Sequence, residues 1–198
     1  MAEQSWLETI LRSLNVELPF RDTLDEYLDI VIPEVRKWGE DLAETKYYSH
    51  PGGKPWLEVR DEDNFHNTIV HFFNDQGEYL RSTDGNVIKG RWRLLEGTNK
   101  MIIEAGGGGD KGGGGGGVSE LYELAYLDAH FFILKKHGEQ RGRRKYFAMG
   151  SESYIRGLEW RDYAEALFNT YRSKHRTYQI TMGVIVVLVI LLIALSLF

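Results

Sequence analysis

With 198 residues, no cysteine and a formal net charge of −5, the chain has room for one ordinary domain and excludes disulfides and cysteine-ligated metals. The negative charge argues against nucleic acid as a general partner. The lack of cysteine agrees with a reducing compartment.

The N-terminal region, residues 1–48, is predicted to be helical. Apolar residues at helical spacing over 5–15 predict a short amphipathic helix. Asp22 or Thr23 can cap a second helix, which the pattern extends beyond a proline to about Glu44.

An antiparallel β region is predicted over residues 49–152, because apolar and polar residues alternate there and turn signals recur. The clearest strand is Asn86–Leu95, and the Asp84-Gly85 pair before it favours a tight hairpin. Further strands are predicted near 68–73, 78–82, 100–104, 120–127, 131–136 and 144–149. Such a meander closes most economically into an up-and-down barrel. The fold class is therefore mainly β with flanking helices, and the following residues are expected to line a packed core or a small apolar pocket: Val70, Phe72, Trp92, Tyr122, Tyr126 and Tyr146.

A glycine-rich loop, residues 105–117, interrupts the β pattern. It lacks the Gly-Lys-Ser/Thr ending of a phosphate-binding loop, and no helix pattern follows it. We interpret it as a lengthened hairpin loop.

The strand carrying Gly90-Arg91-Trp92, with the successions GRWRLLEGTNKMIIE, ELYELAYLDAHFFILKKHG and RKYFAMGS, resembles the small bacterial lipocalin-like domains. The similarity covers about residues 65–150. It implies a barrel more strongly than it implies a ligand.

After residue 152 the pattern is helical again, first over a juxtamembrane segment, 153–179, and then over an uncharged apolar segment, Ile180–Phe198. A helix of this second length spans about 28 Å, close to the ~30 Å hydrocarbon thickness of a bilayer. We expect a C-terminal, single-pass membrane anchor. The basic flank Arg172, Lys174 and Arg176 predicts that the N-terminal domain is cytoplasmic.

A basic run lies at the predicted last hairpin of the barrel, consisting of Lys135, Lys136, Arg141, Arg143, Arg144 and Lys145. Three readings stay open. The run forms a solvated hairpin tip, or it contacts anionic lipid together with the basic flank of the anchor, or it binds another polyanion.

Catalytic signals are weak, and we predict no catalytic residue, no metal site and no cofactor. The six histidines show no metal-binding motif, and His66 and His71 would lie on opposite faces of one strand. The carboxylates at positions 58 and 61–63 read as a solvated acidic turn. We expect a non-enzyme.

Two functions from different classes are consistent with these patterns. The first is a tail-anchored binding or interaction module, which could serve as an accessory subunit of a membrane complex. The second is a membrane effector whose spans self-associate when the soluble domain senses a ligand, as in bacterial defence systems. A lipid-modifying enzyme is the least favoured alternative.

Overall fold

The structure, a computed structural model, describes residues 18–50, 53–62, 67–106, 118–138 and 144–196. Phe20–Ala164 form one compact unit, and the chain from Glu165 onward belongs to a second. The first predicted helix and most of the glycine-rich loop lie outside the described residues.

Eight antiparallel strands follow one another around a closed barrel, which confirms the predicted mainly β fold. Each strand pairs with the next in sequence, and the last pairs with the first. The strands are β1 (Trp56–Glu58), β2 (Ile69–Phe73), β3 (Glu78–Thr83), β4 (Asn86–Leu94), β5 (Lys100–Ala105), β6 (Val118–Leu127), β7 (Phe131–Lys136) and β8 (Tyr146–Ser151).

The shortest strand, β1, was absent from the sequence prediction and is the strand that closes the barrel. It pairs Trp56 with His71 of β2 and with Ser151 of β8. Three residues are too few for an alternating pattern to be recognised. With β1 in place the barrel has no unpaired edge, which removes the site at which edge strands aggregate.

In the part of the chain before the barrel that the structure describes, one α-helix is present, α1 (Leu24–Val35). The Thr23 side chain caps it by accepting a hydrogen bond from the Glu26 N–H at 3.2 Å. The sequence pattern predicted that this helix extends to about Glu44, but it ends at Val35. Single 3₁₀ turns follow instead, at Arg36–Trp38 and Thr45–Tyr47.

The reason for this early end is that the sheet binds the chain after α1. Gly39 has an extended backbone, and the next N–H, of Glu40, donates to the carbonyl oxygen of Leu127 at 2.8 Å. The Leu42 N–H donates to the Asn99 side chain at 3.1 Å. The segment after α1 therefore buries side chains that are spaced as in a helix, although it does not form a continuous α-helix.

Residues from this segment plug one end of the barrel. Leu42 and Tyr48 are fully buried in the interior cluster. The Tyr48 ring stacks on Phe132, with ring centroids 5.0 Å apart, and its hydroxyl donates to the carbonyl oxygen of Leu42 at 2.8 Å. Trp56 of β1 donates from Nε1 to the carbonyl oxygen of Tyr48 at 3.2 Å. This end of the barrel is packed and apolar.

Two glycines are required by the backbone. Gly85 follows Asp84 in the β3–β4 hairpin and has φ of +89°, where a side chain is strained. Gly90 lies where β4 and β5 approach closely, since a Cβ there would be 2.0 Å from the carbonyl oxygen of Glu104.

Two helices follow the barrel, α2 (Glu152–Ile155) and α3 (Trp160–Ser196). From Ile180 to Ile190 the large apolar side chains of α3 are exposed, on all sides of the helix. Among the residues that the structure describes, no helix meets both the length and the apolar character needed to cross a membrane.

Candidate binding site at the open end of the barrel

A chain of buried polar side chains runs across β1, β2 and β3. His71 lies between Glu58 and Tyr79, with its Nε2 3.0 Å from Glu58 Oε2 and its Nδ1 2.6 Å from the Tyr79 hydroxyl. All three residues are at least nine-tenths buried. Their strands are neighbours in the barrel, so the side chains meet on its inner face.

The protonation of this chain follows from its partners. Burial raises the pKa of Glu58, but hydrogen bonds from His71 and Arg60 outweigh it and lower that pKa to about 2. Burial lowers the pKa of His71 despite the neighbouring carboxylate, so we assign a neutral ring at pH 7. Burial raises the pKa of Tyr79. A carboxylate can only accept, so His71 donates from Nε2 and accepts at Nδ1 from the tyrosine hydroxyl.

Two arginines complete the surroundings of Glu58. Arg60 Nε lies 2.8 Å from Glu58 Oε1, and Arg144 Nη1 lies 3.0 Å from the same oxygen. The carboxylate therefore has partners on both oxygens, which is the condition under which a buried charge is tolerated.

A second polar group lies nearby on β6 and β7. Glu120 accepts a short hydrogen bond from the Tyr122 hydroxyl, and its other oxygen is 3.1 Å from Lys136 Nζ. Burial, and then the bond to Glu120, raise the pKa of Tyr122.

These groups line a pocket of about 260 Å³ inside the barrel. The pocket lies at the end from which the chain leaves β1, β3, β5 and β7, opposite the end plugged by Tyr48. We call this end of the barrel the open end. Its wall combines the polar residues above with Arg81 and with apolar side chains, among them Ile103, Ala105, Val118 and Phe147.

Both ring nitrogens of His71 are already hydrogen-bonded within this group, so neither is left to coordinate a metal ion. Within the described ranges, no group of three or more histidine, aspartate or glutamate side chains could hold a metal ion.

The structure distributes the six predicted interior residues over both faces of the sheet. Trp92 and Tyr122 belong to the interior cluster or pack against it. Val70 and Phe72 are half-buried and alternate with the inward His71. The prediction placed Val70 and Phe72 inside the barrel, whereas the inward residues of β2 are Ile69, His71 and Phe73.

Tyr126 and Tyr146 are both buried. Tyr126 lies on the outer side of the sheet, whereas Tyr146 contacts α1 and also contributes to the wall of the pocket, as predicted. A bulge between Leu124 and Tyr126 reverses the alternation of β6, and the Tyr126 ring lies under Gly39. The Tyr146 hydroxyl donates to Asp29 of α1 at 2.8 Å. The position of Tyr126 could not be assigned from alternation alone.

The basic run is partly neutralised by ion pairs. Lys136 pairs with Glu120, Arg144 with Glu58, and Lys145 with Asp29 of α1. Lys135 is exposed at the end of β7, as are Arg172 and Lys174 on α3. Arg141, Arg143 and the Arg176 side chain lie outside the described residues. Contact of the remaining charges with anionic lipid stays a prediction.

The acidic turn also differs from its interpretation as a solvated loop. Glu58 is buried, because it belongs to β1 and faces the interior. Asp61 Oδ2 accepts from the Leu24 N–H at the start of α1, at 2.7 Å. Glu62 is exposed, and Asp63 lies outside the described residues.

Glu58, His71 and Arg81 were not selected as site residues from the sequence. The signal that could have found two of them is positional. On β2 and β3 the polar residues His71 and Arg81 share the parity of the buried residues Phe73 and Tyr79. A polar residue on the buried face of a strand indicates a partner or a ligand.

Comparison with known proteins does not assign the chain to a family. No family matches the chain, and no curated protein or solved structure is significantly similar to it.

Proposed function

We propose that this protein is a membrane-anchored, lipocalin-like binding module whose barrel holds a small molecule at its open end. The observation that carries the proposal is the polar pocket. An eight-stranded barrel can fill its interior with side chains alone, and the plugged end does so. At the open end, charged and polar side chains face a cavity instead.

Stability alone does not require this choice of residues. Buried ion pairs are often no more stabilising than apolar side chains of the same volume. A group of charged residues around a cavity therefore points to selection for a ligand, which is the reading we adopt.

The test uses two exposed valines near the starts of β4 and β6. Val118 lines the pocket, whereas Val87 lies on β4 with its side chain on the outer face. Full-length protein, purified in mild detergent from its own cells, is examined by native mass spectrometry. We expect a bound small molecule in the wild type and in Val87→Trp but not in Val118→Trp. An empty wild type, or equal occupancy of both variants, would overturn the proposal.

The membrane part of the proposal rests on α3. The segment from Ile180 onward has no charged residue, and its large apolar side chains are exposed up to Ile190. Such a surface is covered by lipid or by protein. The basic residues before it favour a cytoplasmic barrel.

A charge within this segment tests the location. Val187→Arg would cost about 2.5–3.5 kcal/mol on insertion if it lies near the bilayer centre. Ser173→Arg, which precedes the apolar segment, is the matched control. We expect carbonate to release Val187→Arg from membranes and to leave Ser173→Arg bound. Release of the wild type by carbonate would refute anchoring.

The exposed apolar surface of α3 also supports an alternative, in which several copies associate as a membrane effector. Gly183 offers a place for close helix packing. Mass photometry of the protein in detergent distinguishes the two functions. A strictly monomeric particle would eliminate the effector, while partners recovered after gentle solubilisation would support a subunit of a membrane complex.

A further inference from the structure

We infer that the molecule bound at the open end carries a carboxylate or phosphate group, and that Arg81 is the residue that binds this group. The inference rests on the proposed binding function and specifies its ligand.

Arg81 is placed to face the pocket by the register of the sheet. It lies on β3 directly opposite His71 of β2, and it shares the inward parity of Tyr79. Opposite residues of paired strands project to the same face, so Arg81 points into the barrel beside the buried polar chain. Its guanidinium contributes to lowering the pKa of His71, as expected of a nearby positive charge.

The Arg81 side chain has a donor that nothing in the described part of the chain satisfies. Its Nε is buried and has no hydrogen-bond partner there. Leaving a buried charged donor unpaired costs more than leaving a neutral one unpaired. A ligand oxygen at this position would remove that cost.

The neighbouring cations are already engaged. Arg60 and Arg144 bind Glu58, and Lys136 binds Glu120. The four basic and two acidic residues that line the pocket leave an excess of two positive charges, since His71 is neutral. The excess attracts an anion, and among the described cations of the pocket Arg81 is the one with a buried donor that lacks a partner.

The shape of the donor suggests the kind of anion. A guanidinium presents parallel N–H groups that match the two oxygens of a carboxylate or phosphate. The cavity of about 260 Å³ is slightly smaller than the ~300–1,000 Å³ usual for drug-sized ligands. Together with the apolar wall that includes Ile103 and Phe147, it fits a small anion with a compact apolar body.

The experiment compares anionic probes with a neutral isostere. Benzoate, phenyl phosphate and benzamide are titrated into the full-length protein in detergent by calorimetry. We expect benzoate or phenyl phosphate to bind at least about tenfold more tightly than benzamide, because a charge-assisted pair is lost in the amide. The stronger of the two anions identifies which oxyanion the site prefers.

The variants are Arg81→Gln and, as a matched control, Arg93→Gln on the outer face of β4. Arg81→Gln should reduce anion binding to the level of benzamide and leave the stability of the empty protein unchanged or raised, since an unsatisfied buried donor is removed. Arg93→Gln should bind as the wild type does. If Arg81 had a purely structural role, the Arg81→Gln substitution would instead lower the stability of the empty protein.

The outcomes separate the inference from the function. If benzamide binds as tightly as the anions and Val118→Trp abolishes both, the binding module stands and the anion inference fails. Full anion binding by Arg81→Gln overturns the inference as well. Failure of both anions to bind does the same, even when native mass spectrometry detects a bound molecule.

Discussion

Replacing Glu58 by glutamine should destabilise the barrel by about 3 kcal/mol at neutral pH. A carboxyl whose pKa is about 2 in the folded protein and 4.5 in the unfolded chain contributes roughly this free energy once it is ionised in both states. Its side chain is only 3% exposed, so solvent screening is weak. Glutamine keeps the shape and can still hydrogen-bond, so the loss measures charge.

The pH dependence has a definite sign. Above about pH 4.5 the full contribution is present, and it is lost as the pH falls towards 2, because the unfolded carboxyl binds a proton first. At pH 3.5 the difference between wild type and Glu58→Gln should therefore be smaller than at pH 7 by roughly 1 kcal/mol.

Urea unfolding of the full-length protein in mild detergent, followed by tryptophan fluorescence, measures both quantities. The control is Glu62→Gln. Glu62 lies 3.9 Å from Arg60 and 3.7 Å from Arg144, but 54% of its side chain is exposed. We expect Glu62→Gln to lower the free energy of unfolding by less than about 0.5 kcal/mol. Equal losses in the two variants, or a Glu58→Gln loss that does not change with pH, would refute the argument.

Two further substitutions test the packing. Gly90→Ala should cost about 3 kcal/mol or more, because the new Cβ meets the Glu104 carbonyl oxygen at 2.0 Å, whereas Gly85→Ala meets no atom and should cost about 1 kcal/mol; equal unfolding midpoints would contradict this. Tyr79→Phe leaves Nδ1 of His71 without its donor and should cost about 1–3 kcal/mol, and a stability equal to that of the wild type in urea would contradict the assigned hydrogen bond.

Alternation together with turn signals predicted seven of the eight strands, and it is clearest where the two faces differ in burial, as in β2 and β4. In β4, charged residues alternate with the inward Gly90 and Trp92, and the observed strand ends one residue earlier than the prediction. The remaining strand could not be predicted, since the three residues of β1 carry no recognisable period. Its pairing with β2 and β8 is a property of closure, which is non-local.

The same reasoning explains why the site was missed. Sequence patterns assign polar residues to the outside, and that rule failed for His71 and Glu58, where each polar group has a buried partner. Only the three-dimensional structure shows that Arg144, which is 86 positions from Glu58 in the sequence, binds the same carboxylate as the nearby Arg60. The places where local rules fail are expected to be functional.

Closure of the barrel and formation of the site depend on the same short strand. Trp56 of β1 reaches the plug at one end through the Tyr48 carbonyl, and Glu58, two residues later, reaches the open end. Because β1 has few backbone pairs, the bonds from Glu58 to His71 and Arg144 tie it to β2 and to the residues that lead into β8. An anion at Arg81, which is opposite His71, would therefore bind next to the side chains that hold the barrel shut.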